Sequence, residues 1–451
     1  MSVRWPEWPP NRVSRDITIG VALGIALSIS FTSISNYVDR RRRIERERAD
    51  GARDYVPRPI ELRSDEIVDG IVGLIGNTPL VRINSLSEAL GVDILGKAEF
   101  LNPGGSVKDR VALKIIQDAE LQGFIQPHSG SRIFEGTVGS TGISIATIAK
   151  ARGYETTIIM PDDVAAEKER ALLALGATVE KVRPASIVDK KQAGIFLAFV
   201  ITLLILGVVC SKRRALEFGT NEMHTSDDTM VASTQDGPGK PRGFFADQFE
   251  STSNYQAHLQ STGPELWRQC SGRLDAFVSG AGTGGTVAGV GRYLKSQDND
   301  IRVVLSDPEG SGLYNKIKHG VMFDVKEAEG TKRRHQVDTV VEGIGINRLT
   351  RNFEMALDVI DDAIRVTDKE AIAMSRYLVQ NDGLFLGSSS ACNLVACVRV
   401  AKALGKNSGK AVATILCDSG TRHYSKFWND EYLEKAGIEV DVGIVDKLLE
   451  D

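Results

Sequence analysis

Downstream of residue 90 the chain alternates short apolar runs with segments whose apolar residues recur every three or four positions. Val92 to Leu101 reads as a strand that breaks at the Asn102-Pro103-Gly104-Gly105 turn. Val111, Ile115, Ile116 and Ala119 then fall at helical spacing, so Lys108 starts a helix. Ile133-Phe134-Glu135, Thr156 to Met160, Thr178 to Val182, Asp275 to Ser279, Arg302 to Leu305 and Ala411 to Leu416 read as further strands. Helices are expected between them at Ile143 to Arg152, Glu167 to Leu175 and Val287 to Lys295. Such alternation predicts an α/β fold with a mostly parallel sheet covered on both faces.

Two stretches break the pattern. Residues 17–35, ITIGVALGIALSISFTSIS, carry no charge, and at about 1.5 Å rise per residue they just span a bilayer core. Arg4, Arg12 and Arg15 precede them, whereas Arg40, Arg41, Arg42, Arg43, Arg46, Arg48 and Arg53 follow, a bias that leaves the C-terminal part in the cytosol. The expected organisation is a tail at 1–16, a transmembrane anchor at 17–35, a charged tether at 36–64 and a catalytic domain at 65–451. A short, weakly apolar anchor with basic flanks suits the mitochondrial outer membrane, with the endoplasmic reticulum as the alternative. The second stretch, AGIFLAFVITLLILGVVC at 193–210, is equally long and apolar, but a crossing there would separate Lys108 from a glycine loop at 282–286. Residues 193–212 are therefore expected to be an insertion foreign to the working enzyme, as translated intron sequence would be. Thr225 to Gly243 reads as a surface loop.

A net charge of −4 over 451 residues gives no sign of a nucleic-acid partner. Cys210, Cys270, Cys392, Cys397 and Cys417 show neither a Cys-x-x-Cys pair nor zinc spacing, so they are expected to be free thiols, and no metal site is expected.

Lys108 carries the candidate chemistry. A helix N-terminus disfavours an ammonium, and a neutral amine is what attack on a carbonyl requires; the bland alternative is a solvated lysine beside Asp109 and Arg110. Gly280-Ala281-Gly282-Thr283-Gly284-Gly285-Thr286 lies between a strand and a helix and suits a phosphate. Gly280, Gly282 and Gly285 also satisfy a dinucleotide fingerprint, with Asp307 placed as a ribose-binding acid, so this loop alone leaves both readings open. Glu135-Gly136-Thr137-Val138-Gly139-Ser140-Thr141-Gly142 is a second turn feeding a helix start, suited to a carboxylate.

The segment Lys97 to Arg110, with Asn102-Pro103-Gly104-Gly105-Ser106-Val107-Lys108-Asp109-Arg110 at its centre, resembles the lysine motif of the cysteine synthase and cystathionine β-synthase family. Ile71 to Arg82, Gln248-Phe249, Thr262-Gly263-Pro264-Glu265, Glu342-Gly343-Ile344-Gly345, Gly383 to Ala391 and Asp418-Ser419-Gly420 match in order. The resemblance runs from about Ser64 to the C-terminus, 193–212 excepted. It implies a fold-type II architecture: two three-layer α/β/α subdomains with pyridoxal 5'-phosphate between them, and a homodimer. It further implies that Lys108 holds the cofactor and serves as the catalytic base, that Gly282, Thr283, Gly284, Gly285 and Thr286 bind its phosphate, and that Ser389 faces its ring nitrogen. A neutral hydroxyl there favours β-elimination and β-replacement. Thr137, Gly139, Thr141 and Gln248 are implied for the substrate carboxylate, and Ser140 for the ring oxygen. Here Val138 stands for the family's serine and Ser140 for its asparagine, which shortens the reach of the turn. The implied reaction joins O-acetylserine and sulfide into cysteine and acetate. The alternatives are related chemistry on serine, threonine or homocysteine, or a catalytically weak membrane scaffold.

Overall fold

The computed structural model describes residues 67–137, 139–161, 164–182, 211–215, 218, 241–324 and 339–450, all within the compact unit 59–451. The expected anchor, the tether, the apolar run 193–210 and Val138 lie outside the described residues. Among those described, no helix is long and apolar enough to cross a membrane.

Among the described residues, ten strands form two sheets. They are β1 (Leu80–Arg82), β2 (Asp93–Ala98), β3 (Arg132–Gly136), β4 (Glu155–Pro161), β5 (Thr178–Val182), β6 (Gly243–Phe245), β7 (Ala276–Gly280), β8 (Arg302–Pro308), β9 (Asp362–Val366) and β10 (Ala411–Leu416). A six-stranded sheet runs β1-β2-β10-β7-β8-β9 and a four-stranded sheet runs β5-β4-β3-β6. Of these described strands, β1 alone runs antiparallel to its neighbour.

Side-chain alternation sorts the core of the larger sheet into two layers. Ala276, Val278, Val304, Val412 and Leu416 face one layer, where they meet Leu394, Val395 and Val398. Phe277, Val303, Leu305, Ala413 and Ile415 face the other, with Val287, Val290 and Leu294. The covering helices are α3 (Gly285–Gln297) on the second face and, on the first, α5 (Ser388–Leu404) with α4 (Asp368–Asp382) packed on it. On the smaller sheet Ile133 and Phe244 pack with residues of α1 (Lys108–Leu121) and α2 (Ser140–Ala151). Phe134 and Phe245 point the other way, onto Ala215 in a short helical stretch at 211–215. The mostly parallel, helix-covered arrangement expected from the alternation is present, divided between two sheets as the resemblance implies. Strand β2 is shorter than the expected run from Val92 to Leu101: it ends at Ala98, and Glu99–Leu101 form a 3-10 turn that brings the chain to Asn102-Pro103.

Candidate active site

Lys108 is the first residue of α1, and its turn is tied to the segment after β10. Val107 N–H donates to the Cys417 carbonyl at 3.0 Å, and Ser106 bridges Asp418. Burial holds the Lys108 amine below the ordinary lysine range, with the Asp418 carboxylate and the Cys417 side chain opposing it, so the neutral base is accessible. Its neighbours are not solvated, which removes the bland reading. Asp109 is buried and accepts from Gly104 N–H and from the Ser144 hydroxyl, each at 2.5 Å. Arg110 is buried between two carboxylates, 2.7 Å from Glu99 and 2.7 Å from Glu265.

The Thr137 turn reaches the same region. Arg422 donates to the Ser140 hydroxyl at 3.3 Å and also to the Gly104 carbonyl, so one guanidinium joins this turn to the Lys108 turn. The Thr141 hydroxyl donates to Gln248 Oε1 at 2.5 Å. Asn254 Nδ2 then bonds the Gln248 carbonyl at 2.7 Å and Thr283 Oγ1 at 2.9 Å, which links the turn to the glycine loop.

That loop is a cradle with no room for side chains. A Cβ on Gly282 would lie 2.4 Å from the Gly343 carbonyl, and one on Gly285 would lie 2.0 Å from Asn254 Oδ1. Gly284 adopts φ +88° directly before α3. Thr286, in the first turn of that helix, is 3.2 Å from His258 Nε2, whose other ring nitrogen is 2.9 Å from Thr262 Oγ1. Burial first, and then the positive charges of Arg110 and Lys108, push His258 down to about 3, so its ring is neutral beside the loop.

Ser389 lies in the first turn of α5, buried beside Cys417, whose thiol burial pushes up to about 11 against a hydrogen bond to Ser389. Ser390 Oγ accepts from Cys417 N–H at 2.8 Å, which fixes the strand-end segment on the helix start. The twelve sequence-derived site residues therefore lie on turns and helix starts that these contacts connect. The dinucleotide alternative loses its acid, because Asp307 Oδ2 accepts from Tyr314 N–H at 2.7 Å and is turned to the helix Leu313–His319. Sequence reasoning assigned no role to Asn254, His258, Cys417 or Arg422. Only Arg422 and Cys417 lay beside a recognised segment, Asp418-Ser419-Gly420.

The residues present fit pyridoxal phosphate. A glycine cradle at a helix start suits the phosphate, a lysine with lowered pKa suits the aldehyde, and a buried hydroxyl suits a neutral ring nitrogen. The chain matches the family described as pyridoxal-phosphate dependent enzyme over residues 71–418. It is 55% identical over 374 residues to "Cysteine synthase 2" of Schizosaccharomyces pombe, covering 83% of this chain and 87% of that one. It is 49% identical to "Cysteine synthase 2" of Neurospora crassa, covering 94% and 93%. The crystal structure of an O-acetylserine dependent cystathionine beta-synthase from Helicobacter pylori superposes with a TM-score of 0.61 at 28% identity, covering 80% of this chain and 98% of that one. With its lysine, its glycine cradle and its match across both sheets, the chain belongs to the pyridoxal-phosphate dependent enzymes.

Proposed function

We propose that this enzyme is a cysteine synthase, converting O-acetylserine and sulfide to cysteine and acetate. The observation that carries the reading is the identity of 48–55% to relatives named as cysteine synthases, over more than four fifths of each chain. Bound pyridoxal phosphate supplies the electron sink for a carbanion at Cα. Gly282, Thr283, Gly284, Gly285 and Thr286 hold its phosphate, Ser389 its ring nitrogen and Ser140 its ring oxygen. Lys108 holds its aldehyde carbon and, once freed, takes the Cα proton of O-acetylserine as general base. Thr137, Gly139, Thr141 and Gln248 hold the substrate carboxylate at the α2 start, where backbone amides favour an anion. Acetate leaves from Cβ with the bonding pair, sulfide forms the new C–S bond there, and Lys108 returns the proton to Cα. Preformed turns spare the enzyme the cost of ordering them during the reaction.

Full-length protein given pyridoxal phosphate is expected to show a visible cofactor band and to release cysteine from O-acetylserine and sulfide. Lys108→Ala is expected to lose the band and to lower kcat at least about 10³-fold, the scale of removing a positioned base. Normal turnover by that variant would refute the assignment of Lys108. A second reading, in which an amino-acid thiol replaces sulfide, is favoured by Ser140 in the substrate turn and by the Helicobacter pylori likeness. Competition between sulfide and homocysteine for the same O-acetylserine decides between the two.

The proposal extends to place and assembly. Residues 17–35 anchor the enzyme in the mitochondrial outer membrane with its catalytic part in the cytosol, the endoplasmic reticulum being the alternative, and the enzyme works as a homodimer. The apolar run and its basic flanks support the anchor. A Saccharomyces cerevisiae relative, 48% identical, has the words mitochondrial cysteine synthase in its name. Protease added to intact mitochondria should digest the catalytic part while the anchor resists carbonate extraction; a protected catalytic part would refute the topology. Residues 193–212 are proposed to be foreign to the working enzyme, and tryptic peptides across 193–210 from the native protein would overturn that.

A further inference from the structure

We propose that Lys168 is a positioning residue for the amino-acid turn, the side chain through which the smaller sheet holds Gly139 in register with the Lys108 half. The inference rests on the reading of Thr137, Gly139, Ser140 and Thr141 as the carboxylate site. Lys168 lies in the helix Ala166–Ala174 and is only 5% exposed. Its stem runs along the turn: a Cβ on Gly139 would lie 2.5 Å from Lys168 Cδ and 3.1 Å from Cγ. Gly139 adopts φ +144°, so the backbone is pressed on the lysine in a conformation that suits glycine.

The ammonium then leaves the smaller sheet's side and pairs with Glu342. Glu342 belongs to the other half, where its N–H donates to Ser388 Oγ at 2.9 Å, at the start of α5. The same carboxylate is 3.6 Å from His423 Nδ1 and 3.5 Å from Lys426 Nζ, and His423 Nε2 is 3.1 Å from Asp418 Oδ2. Asp418 closes the path, because its backbone bridges Ser106 in the Lys108 turn and accepts from Gly387 N–H. A continuous series of contacts thus runs Gly139, Lys168, Glu342, His423, Asp418, Ser106.

A buried ammonium is costly unless paired, so Lys168 stays where Glu342 is, and the glycine turn stays where the lysine stem is. Glu342 is charged throughout the working range: burial opposes ionisation, but the positive charges of Lys168 and of His423 beside it hold it well below the usual carboxylate range. Ser425 adds a second tie between the same elements, with its N–H and hydroxyl both on Glu167 Oε1 at 3.1 and 3.0 Å. Lys168 therefore acts on the turn from behind.

The test compares full-length wild type with Lys168→Met, Lys168→Arg and Glu342→Gln, all loaded with pyridoxal phosphate. Hydrogen exchange of the Gly139 to Ile143 amides and the KM for O-acetylserine are both expected to rise about tenfold in Lys168→Met and in Glu342→Gln, a loss that corresponds to about 1.4 kcal/mol. The cofactor band and the KM for sulfide should stay unchanged, and Lys168→Arg should restore most of both losses. Wild-type exchange in Lys168→Met overturns the proposal. Loss of the cofactor band with exchange raised across all of β3 and β4 also overturns it, because the lysine would then merely support the sheet. Were wild type to leave O-acetylserine untouched, the cysteine synthase reading would fail by itself. The exchange arm, together with its rescue by arginine, would still decide the role of Lys168.

Discussion

Gly284 shows how a single missing methyl shapes the phosphate cradle. Its φ of +88° costs an L-residue about 1–2 kcal/mol, and a Cβ there would lie 2.5 Å from Phe353 Cα, which is backbone and cannot rotate away. Gly284→Ala must therefore displace the loop or the helix Arg351–Glu354 behind it. Cofactor affinity measured by equilibrium dialysis is expected to fall at least about tenfold, with a lowered melting temperature; retention at the wild-type level would show that the loop is not the phosphate site. The glycines were legible because their spacing is local and each is needed by its own backbone. The partners of those turns were not. Arg422 reaches Ser140 and Gly104 across 282 and 318 positions of sequence, and Asn254 reaches Thr283 across 29. No periodicity or motif marks a polar side chain whose role is set by a distant segment.

The element that presents Lys108 is held by charges. Arg110, two residues on, sits between Glu99 and Glu265, and Glu265 also takes Lys97 at 2.8 Å, so two cations and two carboxylates neutralise each other in the interior. The Thr78 hydroxyl donates to Glu99 at 2.6 Å and Asn102 Nδ2 at 2.8 Å, which satisfies the remaining acceptor positions. This quartet joins β2, the start of α1 and the helix Gly263–Gln269. Breaking a buried pair leaves an uncompensated charge, so Glu265→Gln is expected to cost about 3–5 kcal/mol in denaturant unfolding and to reduce cofactor retention with it. A loss below about 1 kcal/mol would show that the cations find water or another acceptor. The expected strands Thr178 to Val182 and Ala411 to Leu416 match β5 and β10 to the residue. No expected strand covers β6 or β9: β6 is only three residues long, and β9 has half-exposed positions that break the apolar run marking a central strand.

Over the whole molecule, the seam between the two sheets carries a titratable link at His423. Burial disfavours its cation, but the charge of Asp418, the hydrogen bond to it and the Glu342 carboxylate 3.6 Å away outweigh that and push it up to about 9, from an ordinary 6.5. Lys168 faces it from the smaller sheet's side and opposes protonation; Arg422 and Lys426 lie on its own segment, and both stabilise the carboxylates around it. Because the folded pKa is raised, the stabilisation is fully present below pH 6.5 and is lost as the pH rises through about 9. The shift corresponds to roughly 3 kcal/mol across that window. Asp418 and Glu342 are both held below the usual carboxylate range, so they remain charged throughout and add no slope of their own. Denaturant unfolding of the holoenzyme from pH 6 to 9.5 should show stability falling with pH. His423→Gln should be less stable at pH 6 and nearly flat over the same interval, because an amide keeps a hydrogen bond and loses the charge. Parallel pH profiles in the two proteins would mean that His423 is neutral in the folded enzyme, and the seam would then be held by Lys168, Ser425 and Arg422 without it.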